Sequence, residues 1–209
     1  IQFGCMFNDC YNLKEIIYSD KLVSHPQLPV YLSSSSNGII FLYSFYESNN
    51  DISKVINEFY LDKIDNDSNH CINKIKFNLY GDNFMACDTQ GTLYTWSFDN
   101  IQSRKIPQNI IYYNNNHNYE NNKKNIFNDM CYLNNTGVIA ALTNNTLIFY
   151  DLLMPEKKRK INEITMGGGD IMLPYLSSQY FIVANNDSAR KISFIDLRKM
   201  EKIKSIPLY

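Results

Sequence analysis

The chain has 209 residues, 44% hydrophobic and 20% charged, with 20 Lys and Arg against 21 Asp and Glu for a net charge of -1. This is the composition of packed globular structure, not of a disordered tail or a fibrous repeat, and it gives no overall electrostatic pull toward nucleic acid. The longest apolar runs, such as Ile39-Ile40-Phe41-Leu42-Tyr43, fall far short of the ~20 residues that cross a bilayer, so a soluble chain is expected.

The first predicted unit is Val30-Tyr31-Leu32, a polar turn containing Asn37-Gly38, and the run Ile39–Ser44. It returns as residues 84–87, Gln90-Gly91 and Thr92–Ser97, preceded by residues 74–77. A third copy is residues 138–141, Asn144-Asn145 and Thr146–Asp151, preceded by residues 130–133. The fourth is Tyr180–Ala184 and residues 192–196, followed by residues 202–206. Gly38 and Gly91 supply the tolerance of positive φ that a tight hairpin needs. The second run of each unit is apolar at nearly every position, the pattern of a strand covered on both faces.

Aligning Tyr43, Trp96, Tyr150 and Ile195 gives spacings of 53, 54 and 45 residues, against about 40–45 for a WD40 blade. The expected fold is therefore all-β, a WD40-type β-propeller of about four divergent blades at 16–60, 70–110, 126–165 and 168–209. Four blades make a partial ring or a fragment of a larger propeller, with the remaining blades supplied by a parent chain or a partner. The extra length of the first two spacings falls in the polar stretches 49–69 and 100–128, read as mobile loops. A strong WD40 repeat carries Asp just before the turn Gly and closes on Trp-Asp. Here the turn positions hold Asn37, Gln90, Asn144 and Ala189, and Trp96 is the only Trp.

The sequence opens at Ile1 with neither an initiator Met nor a leader pattern and stops at Tyr209 in strand-like sequence, so a piece of something larger is expected. Five scattered cysteines, Cys5, Cys10, Cys71, Cys87 and Cys131, form no CxxC pair, which points to a reducing compartment rather than a disulfide framework. Four N-x-Ser/Thr sequons, at Asn66, Asn134, Asn144 and Asn186, are about what 28 Asn produce by chance.

The ordered set of motifs resembles the C-terminal WD40 region of the Dmx-like, or rabconnectin, proteins. The first is Ser24-His25-Pro26-x-x-Pro29-x-Tyr31-Leu32 with Gly38 following; the second is Phe77-Asn78-x-x-Gly81 leading to Asp88-x-x-Gly91-x-Leu93-x-x-Trp96. Tyr150-Asp151-x-Leu153-x-Pro155 is similar to the third blade, with Tyr150 for the usual Trp, and Gly169, Tyr175 and Ile195-Asp196-Leu197-Arg198 to the fourth. Phe45 stands where that family has Trp, and the loops are expanded. The resemblance covers about Leu22 to Ile206. It implies a non-catalytic scaffold, cytoplasmic and peripheral on endomembranes, belonging to RAVE-type machinery that promotes assembly of the vacuolar-type proton ATPase. The implied partners are soluble-sector subunits of that ATPase and a second WD40 subunit.

Catalytic or metal chemistry needs convergent groups, and the sequence offers few. His25, His70 and His117 lie in separate units, and His70-Cys71 is only one ligand pair. His25 beside Pro26 is read as ordering a blade entry. Gly167-Gly168-Gly169-Asp170 lacks the Lys-Ser/Thr of a phosphate loop and is read as an interblade loop. Glu156-Lys157-Lys158-Arg159-Lys160 is a short basic run of the kind that binds anionic lipid or serves as a localisation signal, but it is read as a solvated loop. Asp196-Leu197-Arg198 loosely resembles the box read by adaptors of cullin-RING ligases, which gives an alternative function as a substrate receptor in ubiquitin ligation; a generic trafficking scaffold is a third. Trp96 and the Tyr/Phe set are read as interblade core. No enzyme activity, cofactor or metal is expected, and no binding residue is assigned.

Overall fold

The computed structural model describes residues 21–35, 38–44, 54–61, 71–98, 105–113, 126–133, 137–166, 169, 171–174, 180–184 and 191–207. The described elements are strands throughout, apart from one 3-10 turn at Glu156–Lys158. They form four four-stranded antiparallel sheets, each taken in sequence order. The first holds β1 (Lys21–Ser24), β2 (Val30–Ser34), β3 (Ile39–Ser44) and β4 (Lys54–Tyr60). The second holds β5 (Ile72–Phe77), β6 (Asn83–Asp88), β7 (Thr92–Ser97) and β8 (Asn109–Tyr112). The third holds β9 (Phe127–Leu133), β10 (Val138–Thr143), β11 (Thr146–Asp151) and β12 (Lys160–Thr165). The fourth holds β13 (Ile171–Pro174), β14 (Tyr180–Ala184), β15 (Lys191–Asp196) and β16 (Glu201–Pro207).

Two expectations change. The stretch 49–69, read as a mobile loop, contains β4, and the stretch 100–128 contains β8 and the start of β9. Both β4 and β8 are outermost in their sheets, and an edge strand with one face toward water carries polar residues that disguise it as a loop. Residues 49–53, 62–69, 99–104 and 114–125 lie outside the described residues.

The inner strands behave as their composition demands. β6, β7, β10 and β11 are buried at nearly every position, so both faces of each are covered and apolar side chains need not alternate. Gly38 and Gly91 take φ of 81° and 84° at the hairpins, as those turns require. In three sheets the pairing of the third with the fourth strand breaks register at the same place, between Leu42 and Tyr43, Phe149 and Tyr150, and Phe194 and Ile195. Tyr43, Tyr150 and Ile195 are the residues that align in the sequence repeat. The bulge therefore belongs to the repeating unit.

The chain divides into two compact units, Ile1–Ala86 with Thr95–Gln108, and Cys87–Tyr94 with Asn109–Tyr209. Inside the first, β1 lies against β5 and an aromatic cluster fills the core. Trp96 stacks on Phe84 with centroids 4.8 Å apart, and Phe59 from β4 meets both edge-on. Phe77 and Phe98 complete the cluster. Inside the second unit, β9 lies against β13. Buried Phe127, Met130, Ile139, Leu142, Leu147 and Phe149 supply its core.

Candidate functional site

The entry Ser24-His25-Pro26 and the Phe77-Asn78-x-x-Gly81 motif, 56 residues apart between His25 and Gly81, meet in one hydrogen-bonded assembly. Pro26 and Pro29 have no N–H, so the turn from β1 to β2 has four backbone donors to satisfy. His25 N–H donates to Val30 O and Val30 N–H to Leu28 O. The remaining two, Gln27 N–H and Leu28 N–H, both donate to His25 Nδ1, at 3.0 and 2.9 Å. A ring nitrogen that accepts carries no proton, so the proton sits on Nε2, which donates to Gly81 O at 3.1 Å. The ring packs edge-on against Phe77 and tilted over Phe98.

Asn78 shapes the opposite half. Its Oδ1 accepts from Gly81 N–H at 2.9 Å and Asn83 N–H at 3.2 Å, while its Nδ2 donates to Asp82 Oδ1. Asp82 O in turn accepts from Phe98 N–H at 2.6 Å. Gly81 sits at φ 82°, and a Cβ there would fall inside the contact radius of His25 Cε1 and Nε2. Only glycine admits both the backbone angle and the imidazole.

Burial disfavours the charged imidazole and lowers the His25 pKa, more than the Gly81 carbonyl raises it. Protonation would also place a hydrogen on Nδ1 against two N–H donors. The sign follows from linkage: above the unfolded value of 6.5 neither state holds the proton. As pH falls below it, the unfolded chain binds a proton that the folded chain refuses, and stability drops. Urea unfolding of the native chain should therefore lose midpoint between pH 7.5 and 5.5 more steeply than a His25→Asn variant, whose side chain does not titrate. Parallel slopes for the two proteins would contradict the neutral ring. (Both pH values bracket the ordinary histidine range of about 6.5.)

A second buried polar centre closes the β6–β7 hairpin. Asp88 is fully buried; its Oδ1 accepts from Gln90 N–H at 2.9 Å and Thr92 N–H at 2.8 Å, and its Oδ2 from the Tyr94 hydroxyl at 3.0 Å. Burial, reinforced by the Asp88 charge, pushes the Tyr94 phenol far up, so it remains a donor. The turn carboxylate expected just before Gly91 is thus supplied three residues before it. Ser35 and Thr143 occupy the matching place in the first and third sheets. Ser35 Oγ accepts from Ile39 N–H, and Thr143 Oγ1 from Thr146 N–H. Ala189, the fourth turn position, lies outside the described residues.

The other singled-out residues disperse. His70, His117, Cys5, Cys10, Tyr175, Gly167, Gly168 and Asp170 lie outside the described residues; Gly169 O accepts from Asn128 Nδ2. Among the described residues no group of three His, Cys, Asp or Glu side chains is placed to hold a metal. Trp96 is 1% exposed and enclosed by Phe84 and Phe59, so its face is unavailable to a ligand. Asp196, at the end of β15, accepts from Arg198 N–H, Nε and Nη2. The Arg198 guanidinium holds its carboxyl below the usual carboxylate range. Asp151 makes the same turn after β11, accepting from Leu153 N–H.

Neither models of known protein families nor curated proteins match this sequence.

Ser35, Thr143 and Asp129 do not stand out in the sequence. Asp129, fully buried in the middle of β9, accepts from Met172 N–H of β13 at 2.6 Å through Oδ2. Its signal was an acid inside the apolar strand Phe127-Asn128-Asp129-Met130-Cys131-Tyr132-Leu133, since a charge is buried only where hydrogen bonds compensate it. His25, Asn78, Asp88, Asp129 and Thr143 all spend polar atoms on backbone groups. The arrangement orders turns and ties neighbouring first strands.

Proposed function

We propose that the four sheets are successive blades of a WD40-type propeller and that the chain is a non-catalytic binding platform, part of a Dmx-like scaffold promoting assembly of the vacuolar-type proton ATPase. The observation that carries the propeller reading is the register break recurring at the aligned residue of three sheets. Four consecutive meanders, with first strands side by side in each unit, agree with it. The scaffold reading rests on the ordered Dmx-like motifs, two of which, at His25 and Gly81, are in direct contact. On this reading the chain works in the cytoplasm, peripheral to endomembranes. Among the described residues no helix is long and apolar enough to cross a membrane.

Affinity purification of the tagged protein from its own cells, with a salt-wash series and mass spectrometry, tests the proposal. Soluble-sector ATPase subunits and a second WD40 subunit are the expected companions. A second reading, a receptor in ubiquitin ligation, draws on Arg198, whose side chain is 59% exposed while anchored by Asp196. Recovery of a ligase adaptor without ATPase subunits would overturn the first reading in favour of that one.

A further inference from the structure

The turn between β11 and β12 presents six consecutive exposed residues, Leu153-Met154-Pro155-Glu156-Lys157-Lys158. Leu153 is 80% exposed and Met154 46%. The backbone beneath them is held firmly. Leu153 N–H and Met154 N–H donate to Asp151, Lys158 N–H to Pro155 O, and Asp151 N–H to Arg159 O. Arg159 is committed to this scaffold, its Nε donating to Met154 O and its Nη2 to Asn109 Oδ1 at 2.9 Å. Lys160 pairs with Glu163. Lys157 and Lys158 have no ion-pair partner among the described residues, and the acid beside them is Glu156.

We propose that this turn docks on an anionic membrane surface, with Leu153 and Met154 entering the headgroup region and Lys157 and Lys158 meeting lipid phosphates and carboxylates. Two large apolar side chains flanked by unpaired lysines are the amphipathic combination that interfaces select. A preordered backbone removes the entropy cost of forming it on binding. Charge complementarity distinguishes this turn from the exposed Leu79-Tyr80 turn of the second sheet, which is flanked by Asp82 and carries no cation. Docking here depends neither on the sheets being propeller blades nor on an ATPase partner.

The test is co-sedimentation of the full chain with vesicles of phosphatidylcholine, alone or with about one-third phosphatidylserine. Binding is expected only to the anionic vesicles and should weaken with salt. Each lysine near such a surface is worth about fivefold in affinity, so Lys157→Gln/Lys158→Gln should lose about thirtyfold and Glu156→Gln should gain. Leu153→Ser/Met154→Ser should also lose binding, while Leu79→Ser should not. Equal binding to both vesicle types, no binding to either, or anionic binding unchanged by the turn variants would each overturn the proposal.

Discussion

Replacing Gly81 by valine should destabilise the chain by about 4 kcal/mol or more, read as a fall in the urea midpoint. Two costs combine. A β-branched residue is strained at φ 82°, and its Cβ would overlap His25 Cε1 and Nε2. The ring cannot swing away cheaply, because retreat abandons Gly81 O and strips Gln27 N–H and Leu28 N–H of their acceptor. A double-mutant cycle separates the two costs. With His25→Ala the overlap vanishes and only the backbone strain of about 1–3 kcal/mol remains. Gly81→Val should therefore cost less in that background than in the native one. Equal costs in both would show that the glycine and the imidazole are not coupled.

Asp88→Ala is the second large effect, about 3–4 kcal/mol, because it leaves two backbone N–H groups and a phenol without their buried acceptor. Asp88→Asn should cost only about 1 kcal/mol. Its Oδ1 can still take Gln90 N–H and Thr92 N–H, and the Tyr94 hydroxyl can rotate to accept from the amide. The contrast between the two substitutions identifies hydrogen bonding, rather than volume, as the cause. A loss below about 1 kcal/mol for Asp88→Ala would remove Asp88 from the centre of the turn.

The strands most legible in the sequence were those whose burial leaves a dense signature. β6, β7, β10 and β11 are covered on both faces, so their runs stand out without alternation, and Gly38 and Gly91 marked two of the hairpins. β4 and β8 were hidden because an outermost strand needs only one apolar stripe. In β4 that stripe reduces to Phe59 as the buried residue, set among Lys54, Asn57 and Glu58. The side-chain acceptor of the turns lies further from the glycine than the WD40 pattern places it. Ser35, Asp88 and Thr143 are interchangeable as acceptors but not in residue type, so a search for one recurring letter misses their shared role. The contact between His25 and Gly81 was illegible for a different reason. Each motif is local, and only the fold brings β1 alongside β5.

The bulge repeated between the third and fourth strands has a consequence beyond the single molecule. An extra residue there increases local twist and bends the outer strand, so the exposed rim is not the flat ladder that a neighbouring polypeptide could extend. In β16 the rim also carries exposed Lys202 and Lys204, whose charges would be stacked at short range in any fibril grown on that edge. A device that recurs with the repeat thus guards three of the four sheets separately against templated aggregation, and it does so without depending on what covers the sheets.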